Sequence, residues 1–203
     1  MGSAGFALFA GGDIRIALLT AVMLLGGCAM QGAGPSTRPA AAQPPPLPAD
    51  SLGQSRGAQQ VVRAAFGTQE ATMTCVVDIT AQRMNVIALN AVGMRLFSVS
   101  VAEGKLEVER APGVPDQVQP EQILRDIQLA YWPLAVLQDA WRNSSWDVSE
   151  PFAGTRRLKR DGRLIAEVHY AQPGKDPWRG RLWLSNFEFG YALAVDSQPV
   201  DSD

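Results

Sequence analysis

The sequence RMNVIALNAVGMRLFSVSV, residues 83–101, decides the fold class of this chain. Residues 83–90 are more uniformly apolar than the strand patterns beside them, with the run Val86–Leu89 uninterrupted, which predicts a β-strand with both faces covered. Residues 94–101 alternate between apolar residues and serines over most of their length, as expected for a strand with one buried face. The short segment Ala91-Val92-Gly93 between them suits a hairpin connection. Two strands joined in this way predict an antiparallel sheet.

The segments on both sides of this hairpin carry further strand patterns. Residues 71–80 and 104–110 alternate in polarity over much of their length, and the connections between them are short. Residues 155–170 predict a second hairpin, with Asp161-Gly162 as the turn dipeptide. Residues 180–196 predict two more strands joined by a turn. The sheet is therefore predicted to be interrupted once, in the middle of the chain.

Helical spacing of apolar residues occurs at the start of the domain and again in its middle. Residues 57–66 place Val61, Ala65 and Phe66 on one side of a short predicted helix. Pro120 suits the first position of another helix, which Pro133 separates from a second short one. The resulting fold class is mainly β (α+β). We expect a curved antiparallel sheet that forms a half-open barrel, with the helices on its concave face.

The N-terminal region carries a targeting pattern. Its apolar run ends at residue 27 and is shorter than the roughly 20 residues that a membrane-spanning helix needs. Leu25-Gly26-Gly27-Cys28 resembles the lipobox of bacterial lipoproteins, whose cysteine thiol receives a diacylglycerol after export. The alternative is an ordinary signal peptide with a chance cysteine. We expect a signal peptide at 1–27, lipidated Cys28 with a Pro/Ala-rich tether at 28–50, and one domain at 51–203.

The composition argues against several classes of function. The net charge is −2 and no long run of like charge occurs, which does not suit a nucleic-acid-binding protein. The one histidine, His169, is predicted to share an exposed strand face with Glu167 rather than to act as a catalytic base. Cys75 is predicted to be a buried, inert thiol. Because no Cys/His cluster has metal-site spacing, we expect a non-enzymatic protein without a metal or a cofactor.

The order of these features, over residues 57–196, resembles the LolB family of outer-membrane lipoproteins, which receive lipoproteins from the periplasmic carrier LolA. The features are the lipobox, the N-terminal helix, and the segments LNAVGMRLF, LAYWPLAVLQDAW and RLKRDGRLIAEVHY. The chain resembles even more closely a family of small lipoproteins of unknown function, often encoded beside aryl-polyene and fatty-acid-like biosynthetic genes. The resemblance implies a LolA/LolB-like half-barrel in a monomer anchored to the periplasmic face of the outer membrane of a Gram-negative bacterium.

The resemblance also implies a membrane-insertion loop. In LolB a loop that reads roughly Pro-Leu-Gly projects an exposed leucine that is needed to insert lipoproteins into the membrane. Ala91-Val92-Gly93 stands at this position in the present sequence, so the expected insertion loop is Val92, Gly93 and the adjacent Met94, with Val92 in the place of the leucine. Because valine is smaller than leucine and the proline is absent, we expect a loop that protrudes less. The alternative is that Val92 is an ordinary hairpin residue.

Two further groups of residues are candidates for binding. The first is an apolar cavity, which the LolB-like fold implies and whose aromatic members have ordinary core packing as their alternative. Its expected lining is Met73, Val77, Phe97, Ile127, Tyr131, Leu137 and Trp141. The second is a basic hairpin that either is a solvated strand surface or meets an acidic carrier or anionic headgroups. It consists of Arg156, Arg157, Lys159 and Arg160.

These features together predict an outer-membrane-anchored lipoprotein that binds a hydrophobic cargo and accepts it from a LolA-like periplasmic carrier. The cargo is expected to be the acyl chains of a lipoprotein, a lipid or a polyene lipid. The alternative is a non-catalytic structural or assembly lipoprotein of an envelope complex, with a core filled by its own side chains.

Overall fold

The computed structural model of the chain describes residues 43–114 and 119–200. The predicted signal peptide, Cys28 and residues 28–42 of the predicted tether lie outside the described residues. Within the described ranges, no helix is long and apolar enough to cross a membrane.

The described chain forms one ten-stranded antiparallel sheet and two α-helices. The strands are β1 (Arg56–Phe66), β2 (Gln69–Ile79), β3 (Arg83–Leu89), β4 (Arg95–Ala102), β5 (Lys105–Arg110), β6 (Trp146–Phe152), β7 (Thr155–Arg160), β8 (Arg163–Tyr170), β9 (Gly180–Asn186) and β10 (Tyr191–Val200). The helices are α1 (Pro120–Tyr131) and α2 (Leu134–Trp141), and a short 3₁₀ helix covers Ala49–Leu52. The sheet order is β5-β4-β3-β2-β1-β10-β9-β8-β7-β6, which does not close. The predicted class, a mainly β fold with an open antiparallel sheet and a helical pair, is confirmed.

The central strand of the sheet, β1, was predicted to be a helix, and this prediction is wrong. After Gly57 at its start, its buried positions are Ala58, Gln60, Val62 and Ala64, which follow a period of two. A buried glutamine and two small alanines on the inward face hide the polar/apolar alternation that identifies a strand. β1 pairs over its length with β2 on one side and with β10 on the other, so tertiary pairing overrides the helical propensity of the segment.

β3 has one buried face rather than the two that its apolar sequence predicted. Met84, Val86 and Ala88 point into the core, whereas Ile87 on the opposite face is 36% exposed. Ile87 pairs with Val76 of β2, which is 37% exposed, so the outer face of this part of the sheet keeps an apolar character. An apolar run in a half-exposed strand can thus be mistaken for a doubly covered strand.

The β7–β8 hairpin is confirmed at the predicted turn. Asp161 and Gly162 have φ values of 49° and 79°, which are the two positive values that a type I′ turn requires. The strand pairing shifts by one residue between Leu158 and Lys159, and the bulge leaves Ile165 buried beside Ala166. The neighbouring strand β6 was not predicted, although its buried Trp146 and Val148 alternate as expected for a strand.

The helical pair is confirmed in position. Pro120 occupies the start of α1, and Leu124, Ile127 and Tyr131 bury its apolar stripe. α1 ends because Trp132, which precedes Pro133, adopts an extended conformation with ψ of 148°. The pair therefore covers the buried face of the sheet as two short helices rather than one long one.

The end of the predicted tether belongs to the folded domain. Leu47, Ala49 and Leu52 are each at most 7% exposed. The side-chain amide of Gln128 in α1 accepts a hydrogen bond from Leu47 N (2.9 Å) and donates one to Leu47 O (2.8 Å). The boundary predicted between residues 50 and 51 is therefore too late, because Leu47 and Ala49, like Leu52, are buried in the domain and Leu47 is bonded to α1.

A candidate apolar ligand site between α1 and the sheet

A narrow, partly open cavity of about 60 Å³ lies between α1 and strands β1, β2, β9 and β10. Its walls are almost entirely apolar, as expected where a helix covers the buried face of a sheet. The residues that line the cavity include Gln60, Phe66, Met73, Cys75, Asp126, Ile127, Tyr131 and Tyr191. The cavity spans β1 from Gln60 to Phe66, and we call these its inner and outer ends.

A second, open groove of about 690 Å³ begins where the cavity ends. It is bounded by the ends of β1 and β2, the β3–β4 loop and the segment that follows β5. Phe66 and Met73 line both the cavity and the groove. The two volumes are thus separated by shared side chains rather than by backbone.

The narrow cavity is too small to hold an alkyl chain in this conformation. Its 60 Å³ exceeds the roughly 10–15 Å³ that one water molecule requires, but is less than half of the ~150 Å³ engineered cavity that binds benzene. A chain-like ligand therefore requires side chains at the outer end to move, so that the cavity opens into the groove.

The outer end of the cavity contains a buried carboxylate, Asp126. It accepts hydrogen bonds from the Tyr191 hydroxyl and from Gln122 Nε2, the latter at 2.9 Å. Burial raises the pKa of Asp126 from its ordinary 3.8 to about 6, and these hydrogen bonds, together with nearby Arg125, offset only part of that rise. The Asp126 contact links the N-terminal half of α1 to the start of β10.

The inner end of the cavity contains polar groups that are less completely hydrogen-bonded. Gln60 is 2% exposed, and its Nε2 lies 3.4 Å from the Ser197 hydroxyl, a long contact. The hydroxyl of Tyr131 is buried without a hydrogen-bond partner, while the ring stacks on Trp178 with centroids 4.2 Å apart. Burial raises the pKa of Tyr131, so its hydroxyl keeps its proton and remains a donor.

The structure brings together three of the seven predicted cavity residues. Met73, Ile127 and Tyr131 line the cavity. The other four do not line it: Phe97 borders the open groove, and Val77, Leu137 and Trp141 are at most 4% exposed within the surrounding core. The sequence analysis missed Gln60 because its strand was taken for a helix. It also missed Asp126, whose one available signal was an acidic residue directly beside the apolar stripe of α1.

The predicted insertion loop is exposed and locally ordered. Val92 is 77% exposed and Met94 62% exposed, and Gly93 has a φ of 81° that favours glycine. The Asn90 side-chain oxygen accepts hydrogen bonds from Val92 N (3.0 Å) and Met94 N (2.9 Å). Met94 also borders the open groove. Both apolar side chains therefore project from a turn beside that groove.

Of the four residues predicted to form a basic surface, one is buried and three are partly exposed. Arg156 is 7% exposed and points inward, where its guanidinium donates to Glu150 Oε1 and to the carbonyl oxygens of Leu129 and Trp132. It is thus a buried support of the C-terminal end of α1, and the prediction that it faces a partner is wrong. A positive charge at this end also favours the helix dipole.

Arg157, Lys159 and Arg160 of the same hairpin keep partial exposure. Arg157 donates to Glu167 and lies over the Phe152 ring at 5.8 Å, and Arg160 lies over the Trp146 ring at 5.6 Å. These three residues stay candidates for a partner surface.

The chemistry available elsewhere in the described chain is limited. His169 is on the outer face, where its Nε2 lies 2.6 Å from Glu167 Oε1. The hydrogen bond from Arg157 holds the pKa of Glu167 below its usual value. Cys75 is buried, and desolvation raises its pKa to about 12. No group of three or more His, Cys, Asp or Glu residues within 43–114 and 119–200 is placed to hold a metal ion.

An open ten-stranded antiparallel sheet whose buried face is covered by two short helices defines the structural class of this protein as a mainly β, α+β fold. Residues 57–199 match the family DUF3261, described as a protein of unknown function. The match covers most of the chain, and the chain belongs to this family. No curated protein sequence matches it. The predicted membership of a family of unknown function agrees with this result, whereas the gene neighbourhood stays a prediction.

Three solved structures show a distant similarity to the chain. A LolA superfamily protein from Nitrosomonas europaea is 10% identical, with a TM-score of 0.43. A DUF1329 family protein from Desulfovibrio piger is 8% identical, with a TM-score of 0.33, and a domain assigned to outer membrane lipoprotein sorting from Vibrio parahaemolyticus is 8% identical, with a TM-score of 0.35. Each similarity covers 74% of this chain and 87% of the other. At these scores we base no functional argument on them.

Proposed function

We propose that this protein is a lipid-anchored lipoprotein of the outer membrane, with the anchor on Cys28, that binds an apolar chain between α1 and the sheet. The cargo is an acyl chain of a lipoprotein, a lipid or a polyene lipid, and it is accepted from a periplasmic carrier. Transfer driven by differences in affinity needs neither a catalytic group nor a cofactor. The observation that carries the proposal is that Phe66 and Met73 stand between the narrow cavity and the larger groove and line both.

This border is built from side chains that can move. Methionine is unbranched and adapts its shape to irregular spaces, so Met73 is a suitable gate residue. Phe66 is only partly buried and contacts the Tyr191 ring in a tilted arrangement, with centroids 5.5 Å apart. Rotation of these rings and of Met73 would join the 60 Å³ cavity to the groove without breaking the sheet.

The N-terminal half and middle of α1 are held to the rest of the domain by the Asp126 contact with Tyr191 and by the hydrogen bond from Arg125 Nε to Pro44 O (2.9 Å), fewer contacts than hold its C-terminal half. The C-terminal half is fastened by Gln128 to Leu47, by the Trp132 indole to Ser51 (2.7 Å) and by the Tyr170 hydroxyl to the carbonyl of Ala130 (2.6 Å). The Arg156 contacts add to these. The N-terminal half borders the outer end of the cavity, where a ligand would come in from the groove.

The β3–β4 loop supports the membrane part of the proposal. Val92 and Met94 present apolar side chains to solvent beside the groove, and the Asn90 hydrogen bonds hold the turn in shape. Exposed apolar residues at such a position suit insertion into a bilayer surface. The proposed role of the loop is to bring the mouth of the groove to the membrane during transfer.

Ligand binding can be tested with a matched pair of substitutions in β1. Ala64 faces the cavity and is 2% exposed, whereas its neighbour Ala65 faces the outer side of the sheet. Residues 29–203, produced with a cleavable export signal and purified, would be extracted with organic solvent and analysed for lipid by mass spectrometry. We expect co-purified lipid and binding of a fluorescent fatty acid for the wild type and for Ala65→Leu, and weakened binding for Ala64→Leu, which fills the cavity.

The alternative function is that of a structural or assembly lipoprotein. The small volume of the cavity favours it, because a core filled by its own side chains needs no ligand. A protein that carries no lipid after extraction, and that does not bind the fluorescent fatty acid, would support this alternative and exclude the binding function.

The insertion loop can be tested separately from binding. Val92→Glu places a charge on the exposed loop, and Ile87→Glu places the same charge on the outer face of β3, away from the groove. We expect Val92→Glu to slow transfer of bound fluorescent fatty acid to phospholipid vesicles several-fold with its affinity retained, and Ile87→Glu to transfer normally. Equal transfer rates in both variants would remove the loop from the proposal.

A further inference from the structure

The inner end of the cavity contains a hydrogen-bond donor with no acceptor. The Tyr131 side chain is 5% exposed, and its hydroxyl has no hydrogen-bond partner in the described chain. The Tyr131 ring stacks on Trp178, two residues before Gly180, and Gly180 pairs with Ser197 of β10. The Ser197 hydroxyl is close enough to lower the pKa of Tyr131 as a hydrogen-bonding neighbour, but the two hydroxyls do not reach hydrogen-bond geometry. The residues nearest the Tyr131 hydroxyl thus include Ser197 and Cys75. Both residues pair with Gln60 across the sheet, one on β10 and one on β2. The hydroxyl is therefore at the inner end of the cavity.

We propose that Tyr131 donates a hydrogen bond to a neutral oxygen atom of the apolar ligand, which thus binds with an oxygen-bearing group at the inner end of the cavity. The inference rests on the proposed function, because it specifies the ligand of the same site. Leaving a buried donor unpaired costs free energy in the empty protein, and a ligand oxygen would remove that cost. Stacking on Trp178 holds the Tyr131 ring in place, so the donor is preorganised.

The surroundings of Tyr131 favour a neutral acceptor over an anion. Among the cavity-lining residues of the described chain, Asp126 is the one with a charged side chain, and it lies at the outer end. Cys75, at the inner end, stays protonated because burial raises its pKa to about 12. A carboxylate pushed to the inner end would lose its hydration without gaining a cation. An alcohol, ketone or ester oxygen does not carry this penalty.

The geometry of β1 sets the scale of such a ligand. Six residue steps separate Gln60 from Phe66, and each step of an antiparallel strand rises about 3.4 Å, so the site is about 20 Å long. The polar group would contact the inner end, and the apolar remainder would extend past Met73 toward the groove. The Asp126 cluster at the outer end has its own donors and leaves the ligand free to pass beside it.

Matched ligands test this inference on the purified protein of residues 29–203. Decane, decanol, methyl decanoate and decanoate would be compared by their displacement of the uncharged dye N-phenylnaphthylamine. The quantity of interest is the ratio of the affinity for decanol to that for decane, because it cancels most of the shared hydrophobic contribution. The methyl decanoate sample distinguishes a carbonyl oxygen from a hydroxyl, and the decanoate sample tests the exclusion of an anion.

A pair of tyrosine substitutions identifies the donor. Tyr131→Phe removes the unpaired hydroxyl, and Tyr170→Phe makes the same chemical change at a tyrosine that does not line the cavity. For decanol or methyl decanoate, we expect the affinity ratio to decane to fall about fivefold in Tyr131→Phe, the worth of one neutral hydrogen bond. We expect it to be unchanged in Tyr170→Phe.

The outcomes separate this inference from the proposed function. If none of the four compounds displaces the dye, the binding function itself fails. If decane and the oxygenated chains bind with the same relative affinities in wild type and Tyr131→Phe, the inference is overturned while apolar binding stands. The same holds if Tyr131→Phe weakens all ligands equally, which would indicate a structural role, or if decanoate binds most tightly.

Discussion

Replacement of Asp126 by asparagine should change the pH dependence of stability in a defined direction. Burial raises the pKa of Asp126 in the folded protein to about 6, compared with about 3.9 in an unfolded chain. The folded state therefore holds this proton more tightly than the unfolded state does. The stabilisation by the protonated group is fully present below pH ~4 and is lost as the pH rises through ~6.

The magnitude follows from the same two values. A rise from 3.8 to about 6 corresponds to roughly 3 kcal/mol, at about 1.36 kcal/mol for each pKa unit. Asparagine does not titrate, and its side chain can keep the existing contacts. Its oxygen can accept from Tyr191, and its nitrogen can donate to Gln122 Oε1, which is buried without a partner at present, once the Gln122 amide turns over and withdraws the Nε2 that now donates to Asp126.

Urea unfolding at a series of pH values measures this effect. The free energy of unfolding of Asp126→Asn minus that of the wild type should increase by up to ~3 kcal/mol between pH 3.5 and 7. Asp196→Asn is the matched control of opposite sign, because the hydrogen bond from Arg181 lowers the pKa of Asp196. A difference for Asp126→Asn that stays flat from pH 3.5 to 7, or that falls, would refute the assignment of Asp126 as a costly buried carboxylate.

Three other predictions address the frame around the site. In urea titrations, Arg156→Met should lower the free energy of unfolding by about 3–5 kcal/mol, because it leaves buried acceptors without a donor. The control Arg157→Met should lower it by at most ~1 kcal/mol, and similar losses in the two variants would contradict the buried role of Arg156. Gln128→Leu should lower the free energy of unfolding by about 2 kcal/mol or more and make the segment around Leu47 sensitive to limited proteolysis. An unchanged cleavage pattern would count against that segment belonging to the domain. In the protein of residues 29–203, Cys75 should react with N-ethylmaleimide roughly a thousandfold more slowly when folded than when unfolded in urea, because burial raises its pKa from 9.0 to about 12. Folded and unfolded rates within tenfold of each other would show that the cavity wall opens freely.

The elements that local chemistry specifies could be predicted from the sequence. The Asp161-Gly162 turn was predicted correctly because a type I′ turn needs positive φ at both central positions, and few residue pairs supply it. The start of α1 at Pro120 and its separation from α2 at Pro133 follow equally from the restricted backbone of proline. In these places the sequence constrains the backbone directly, with no help from distant residues.

The elements that distant residues specify could not be predicted. β1 exists because β2 and β10 pair with it, and β10 is more than a hundred residues further along the chain. Residues 43–50 are rich in proline and resemble a tether, yet Leu47 is held by an amide 81 residues away. The cavity residues Gln60 and Asp126 depend on the same pairing, because it brings them to opposite ends of one enclosed space. Patterns within a short window contain no information about such contacts.

The unfavourable features of this domain converge on the contact between α1 and the central strands. There the structure keeps a carboxylate whose burial costs stability, a phenol without an acceptor and a volume that no side chain fills. A scaffold whose only requirement is stability would gain from replacing each of these by apolar packing. On the opposite side of α1, by contrast, the Gln128 amide and the Trp132 indole both have hydrogen-bond partners, in Leu47 and Ser51, and these bonds hold the helix in place. A helix that is firmly held on its outer side, over an interior that is imperfectly packed, is the arrangement expected of a site that exchanges its contents.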